Sequence, residues 1–101
     1  MTDIEKKIIC EQLIDKYKDK QIIVAIEELS ELQKELCKSL RGKTNIANIL
    51  EEMADVIIMM HQMQMYFKIS DEALHREISY KLNRTKERLL ENEKENQGFY
   101  N

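Results

Sequence analysis

The chain contains no proline, and its only glycines are Gly42 and Gly98. The many tight reversals of a β-sandwich or barrel draw on those two residues, so such folds are excluded and a few long helices are expected. Long apolar runs are missing as well. The longest aliphatic stretch, Val56 to Met60, is far short of the roughly 20 residues that a membrane-spanning helix needs. The opening segment, MTDIEKKIIC, lacks the apolar region of a signal peptide. Positive charge is not in excess: 16 Lys and Arg stand against 19 Asp and Glu, for a net charge of -3. That balance argues against nucleic acid or a membrane surface as partner. Cysteine is scarce, and Cys10 and Cys37 lack metal-motif spacing, so both are expected to act as small hydrophobes. These absences predict a soluble, cytoplasmic protein.

What is present is helical patterning. The 101 residues suit one all-α domain over residues 1–95, followed by a polar tail at 96–101. Thr2 and Glu5 have capping-box spacing, and Ile4, Ile8, Ile9, Leu13 and Ile14 recur at helical period, which predicts a first helix from Asp3 to Tyr17. Asp19 is the expected cap of a second helix whose Ile22, Ile23, Ile26, Leu29, Leu36 and Leu40 share one side, with Gly42 as its stop. A third helix is expected from Asn45 to Phe67, apolar almost all round from Met53 onward and hence buried on more than one side. Ser70, Asp71 and Glu72 open a fourth, with a stripe of Leu74, Ile78, Leu82, Thr85 and Leu89 that should fray within Glu91 to Asn101. The tail aromatics Phe99 and Tyr100 are expected to be mobile unless they dock on a neighbouring subunit. So much apolar surface on so small a domain predicts a homodimer or homotetramer.

Positive charges avoid two windows. No Lys or Arg falls between Gln21 and Gln33 or between Thr44 and Phe67, and these windows hold Glu27, Glu28, Glu31, Glu51, Glu52 and Asp55. Glu28 and Glu31 are three apart, as are Glu52 and Asp55, so each pair shares a helical face and destabilises its own helix. Asp55 also opens the most apolar stretch of the chain, where a buried carboxylate needs a compensating partner. If the second and third helices form an antiparallel hairpin about Gly42, Glu31 faces Glu52 and Glu28 faces Asp55. Both pairs then lie about 15 to 21 Å from the turn, on helix axes about 8 to 10 Å apart. Four converging carboxylates suit a hard divalent cation, Mg²⁺ first and Mn²⁺ second.

The segments Glu27-Glu28-Leu29-Ser30-Glu31 and Glu51-Glu52-Met53-Ala54-Asp55 resemble the EExxE and ExxD elements of the MazG-like all-α nucleoside triphosphate pyrophosphohydrolases. The order of the elements, the intervening helix-turn-helix and the apolar run after Asp55 fit that family, over roughly Gln21 to Arg88. The resemblance implies a four-helix bundle of antiparallel helices that cleaves a nucleoside triphosphate to the monophosphate and pyrophosphate, using Mg²⁺ held by Glu28, Glu31, Glu52 and Asp55. It also implies that a basic segment after the ExxD helix contacts the phosphates, and Lys81-Leu82-Asn83-Arg84 looks like it, with Arg88 on the same face. Glu27 and Glu51 point about 100° away from their neighbours, where they either orient water or a ligand or form ordinary helix surface.

Competing readings exist for several of these residues. Glu77 with Lys81 and Arg88 with Glu91 have the spacing of intrahelical ion pairs, which would occupy the cations. Glu72 and His75 have the Glu-x-x-His spacing of di-iron bundles, but His61, expected to be partly buried, follows Ile58 instead of a glutamate, so the second copy is missing. A non-catalytic helical oligomerisation or regulatory module would account for the charge segregation but not for Asp55 beside an apolar run.

Overall fold

Thr2 opens the first helix as its sequence requires. Its Oγ1 accepts from the Glu5 amide at 3.1 Å and its own amide donates to Glu5 Oε2 at 3.3 Å, completing the capping box at the start of α1 (Asp3–Tyr17). In the computed structural model, which describes the backbone of residues 1–100 and the side chains of residues 1–94, three further helices follow. They are α2 (Lys20–Leu40), α3 (Ile46–Tyr66) and α4 (Asp71–Tyr100), and no strand occurs among the described residues. The all-α expectation is met, and among the described residues no helix is long and apolar enough to cross a membrane.

The junctions carry the local chemistry. Between α1 and α2, Lys18 takes φ 51° and Asp19 is already helical in backbone. Asp19 therefore sits at the cap position of α2 but makes no capping hydrogen bond, contrary to expectation. The end of α2 is a Schellman motif: the Lys43 amide donates to Lys38 O at 2.9 Å and the Gly42 amide to Ser39 O at 3.0 Å. Gly42 holds φ +80°, the left-handed region that a side chain disfavours. Asn45 Oδ1 then accepts from the Asn48 amide to cap α3, and Ser70 Oγ accepts from the Ala73 amide to cap α4, each at 3.1 Å.

The chain divides into two units, Met1–Lys68 with α1 to α3 and Ile69–Asn101 with α4. In the first, α3 packs on both α2 and α1. Its buried interior is small and mixed: Cys10, Ala25 and Met59 lie with Gln21, Glu35 and Gln62. Ser39 meets Thr44 beside the turn, Glu28 meets Asp55 further out, and Gln21 meets Gln62 further still. Each step outward along α2 is thus matched by an equal step along α3, and the two helices run in opposite directions.

Several burial expectations are corrected. Ile23, Ile26, Leu29, Leu36 and Leu40, which share one side of α2, are exposed, because α2 meets α3 through the adjacent side that carries Gln21, Ala25, Glu28 and Glu35. Along α3 only Met59 and Gln62 are buried, and Met53, Ile57, Ile58 and Met60 remain open, so the second apolar face is uncovered in the single chain. Cys37 is exposed, and only Cys10 behaves as a buried hydrophobe, its thiol pushed up by burial. Within the second unit, Leu74, Ile78, Leu82 and Leu89 are exposed, and α4 runs from Asp71 to Tyr100. The docking expected of Phe99 and Tyr100 lies outside the described side chains.

Candidate metal centre

Three carboxylates from two helices converge. Glu28 on α2 and Glu52 and Asp55 on α3 each place an oxygen within 4.8 Å of the other two, all three residues being half-buried. The spacing explains the meeting: Glu52 and Asp55 share a face of α3 one turn apart, and the antiparallel register sets Glu28 level with Asp55. Among the described residues this is the one group of three metal-ligating side chains so placed.

The cluster is electrostatically uncompensated. Glu28 is held above the ordinary carboxylate range, first by burial, then by the charges of Asp55 and Glu52, a hydrogen bond with Asp55 and the charge of Glu31. Glu52 is raised likewise by burial and by Asp55, Glu31, Glu51 and Glu35. Its Oε2 is buried without any hydrogen-bond partner. An unmatched acceptor shielded from water is costly, more so when charged, and the neighbouring groups are acceptors too. Hard oxygen donors, several carboxylates and a missing positive partner fit Mg²⁺ or Mn²⁺ better than zinc, which favours His and Cys.

The expected ligands divide three to one. Glu31 lies outside the close group, exposed on α2, although its charge reaches both Glu28 and Glu52. Glu27 and Glu51 are exposed, as their rotation away from the ligand face requires. Sequence reasoning passed over Glu35, a buried carboxylate one turn beyond Glu31 whose Oε1 accepts from Lys38 Nζ at 3.3 Å. Its four-residue spacing from Glu31 was the available signal. It also passed over the Gln21–Gln62 pair, in which Gln21 Nε2 donates to Gln62 Oε1 at 2.7 Å with Gln62 only 1% exposed.

The expected cations lie together on α4. Lys81, Arg84 and Arg88, with Thr85, line a shallow, solvent-open depression of about 230 Å³. Thr85 Oγ1 donates back to Lys81 O at 3.0 Å, and the Arg84 guanidinium lies 5.8 Å from the Tyr80 ring centre. Neither the Glu77–Lys81 nor the Arg88–Glu91 ion pair forms among the described residues. His75 is exposed, as is His61, which had been expected to be partly buried, and neither joins a metal-ligating group. Comparison with models of known protein families, with curated proteins and with solved structures finds no match to the chain.

Proposed function

We propose that the chain is a Mg²⁺-dependent pyrophosphohydrolase of the MazG-like kind, converting a ribo- or deoxyribonucleoside triphosphate to the monophosphate and pyrophosphate as a cytoplasmic guardian of the nucleotide pool. The observation that carries this reading is the buried, unpartnered Oε2 of Glu52 beside the carboxylates of Glu28 and Asp55. A solvated acidic face would hydrate that oxygen, and a structural cluster would supply it with a donor.

Glu28, Glu52 and Asp55, joined by Glu31, would hold Mg²⁺, with Mn²⁺ as substitute. When bound, such a cation offsets the negative charge of the phosphate oxygens and acidifies a water. The chain's own part is to hold those carboxylates level on two facing helices. Glu27, one position before Glu28 and open to solvent, would orient the attacking water or take its proton. Lys81, Arg84 and Arg88 would bind phosphate oxygens through charge-assisted hydrogen bonds, a role favoured by their place together on one open depression of α4. The open apolar faces of α2, α3 and α4 support assembly of a four-helix, antiparallel bundle as a homodimer or homotetramer.

The test is to incubate the purified protein with each common ribo- and deoxyribonucleoside triphosphate, with Mg²⁺ or with chelator, and to separate the products by anion-exchange chromatography. Monophosphate and pyrophosphate appearing only with metal are expected. Diphosphate and phosphate would mean another cleavage. No turnover of any triphosphate, together with no Mg²⁺-dependent gain in melting temperature, would favour the non-catalytic oligomerisation module.

A further inference from the structure

Glu28, Glu31, Glu35 and Lys38 recur at spacings of three and four residues, so all four lie along one face of α2. Three are carboxylates, and the fourth is the cation that α2 sets at the turn end of that face. Lys34, also near Glu31 in sequence, is exposed and makes no ion pair with the cluster. Lys38 is different: its ammonium reaches back one turn to Glu35, which is buried and close enough to the carboxylate cluster for Glu52 to feel its charge.

That contact leaves most of the ammonium's capacity unused. Lysine carries three donors, and Glu35 Oε1 takes one of them at 3.3 Å. The Lys38 side chain also keeps 35% of its surface open, against 11% for Glu35. Glu35 lies four residues from Glu31 and seven from Glu28, about 6 and 10 Å along the helix, so the ammonium stands one to two turns from the carboxylates that would receive the phosphates. A phosphate chain carries more charge than one carboxylate and offers several oxygens at once.

We infer that Lys38, held in place by Glu35, is the phosphate-contacting cation of the α2–α3 unit. This rests on the pyrophosphohydrolase reading above, and it places one anion-binding group on the same helix as the carboxylates. Lys38 shares its ammonium between Glu35 and the bound phosphates and thereby lowers KM more than it raises kcat.

The experiment compares wild type with Lys38→Met, Lys38→Arg and the double variant Lys38→Met/Glu35→Gln, by triphosphate hydrolysis in Mg²⁺ and by inhibition with inorganic tripolyphosphate. Lys38→Met should raise KM about tenfold, the scale of one charge-assisted hydrogen bond, and weaken tripolyphosphate inhibition in parallel with little change in kcat. Lys38→Arg should recover most of both, and the double variant should stay impaired. Recovery in the double variant would mean that Lys38 only neutralises buried Glu35, and overturns the inference. An unchanged KM in Lys38→Met, or a raised KM with tripolyphosphate inhibition intact, overturns it too while leaving the hydrolase reading standing. Absence of wild-type turnover removes both.

Discussion

Glu28 on α2 and Asp55 on α3 bring carboxylate oxygens within 4.8 Å of each other across the hairpin, with no basic side chain paired to either among the described residues. A proton or a cation placed between them relieves the repulsion that both feel when ionised. Much of the expected behaviour of the protein follows from what competes for that position.

Glu52→Gln and Asp55→Asn should each lower triphosphate hydrolysis about a hundredfold or more, the scale of losing one preorganised electrostatic element. The helical circular dichroism should be unchanged, since both side chains sit among like charges. Melting in chelator should shift upward for Glu52→Gln, because a repulsive charge is gone. Full hydrolytic activity in either variant would remove the carboxylates from the reaction.

The pH dependence of stability has a definite sign. Glu28 and Glu52 titrate above the ordinary carboxylate range, so between the unfolded and folded values the native state binds more protons. Their stabilising contribution is complete below about pH 4.5 and is lost as pH rises through the raised values. Metal-free protein should therefore melt lower as pH climbs above the ordinary carboxylate range. Mg²⁺ should restore the loss increasingly, since a cation held there would require the ionised groups. Scanning calorimetry across pH, with Glu28→Gln/Glu52→Gln as control, measures this; a slope identical in the control would assign it to other groups.

Gln21 and Gln62 should behave as a coupled pair. Gln62→Ala leaves the buried Gln21 amide without its partner and opens space, at a cost of about 1–3 kcal/mol from the unmatched amide alone. Replacing both by leucine should cost much less than the two single leucine changes added together. Urea denaturation in a double-mutant cycle gives the coupling, and strict additivity would mean that the 2.7 Å contact does not hold the helices.

On α4, Lys81→Glu should raise KM for triphosphate severalfold, with a smaller effect from Arg88→Glu. Steady-state kinetics at two salt concentrations would read this, since an exposed phosphate contact weakens with ionic strength. Unchanged kinetics in Lys81→Glu would assign phosphate binding to another element.

The helices were legible because each carries its own signals: the Thr2–Glu5 box, Gly42, Asn45 and Ser70 all act locally. The meeting of Glu28, Glu52 and Asp55 was legible for a similar reason, because positions counted from one turn fix heights on two antiparallel helices. Which way the helices face was not. Leu29 and Ile26 carry the same periodicity whether they cover this chain's interior or stand open, and a stripe cannot announce what it meets. Glu35 and Gln62 escaped notice because polar residues read as surface until a specific partner, here Lys38 or Gln21, is seen beside them.

The α2–α3 hairpin is fastened at both ends, by Ser39 with Thr44 at the turn and by Gln21 with Gln62 at the far end. The mutually repelling carboxylates lie between these two fasteners, so their separation is set by contacts that carry no net charge. Repulsion therefore loads the hairpin as a vice does its workpiece, without prying it open. A cation binding there would meet ligands already gathered, the reorganisation that would otherwise oppose it having been completed when the chain folded.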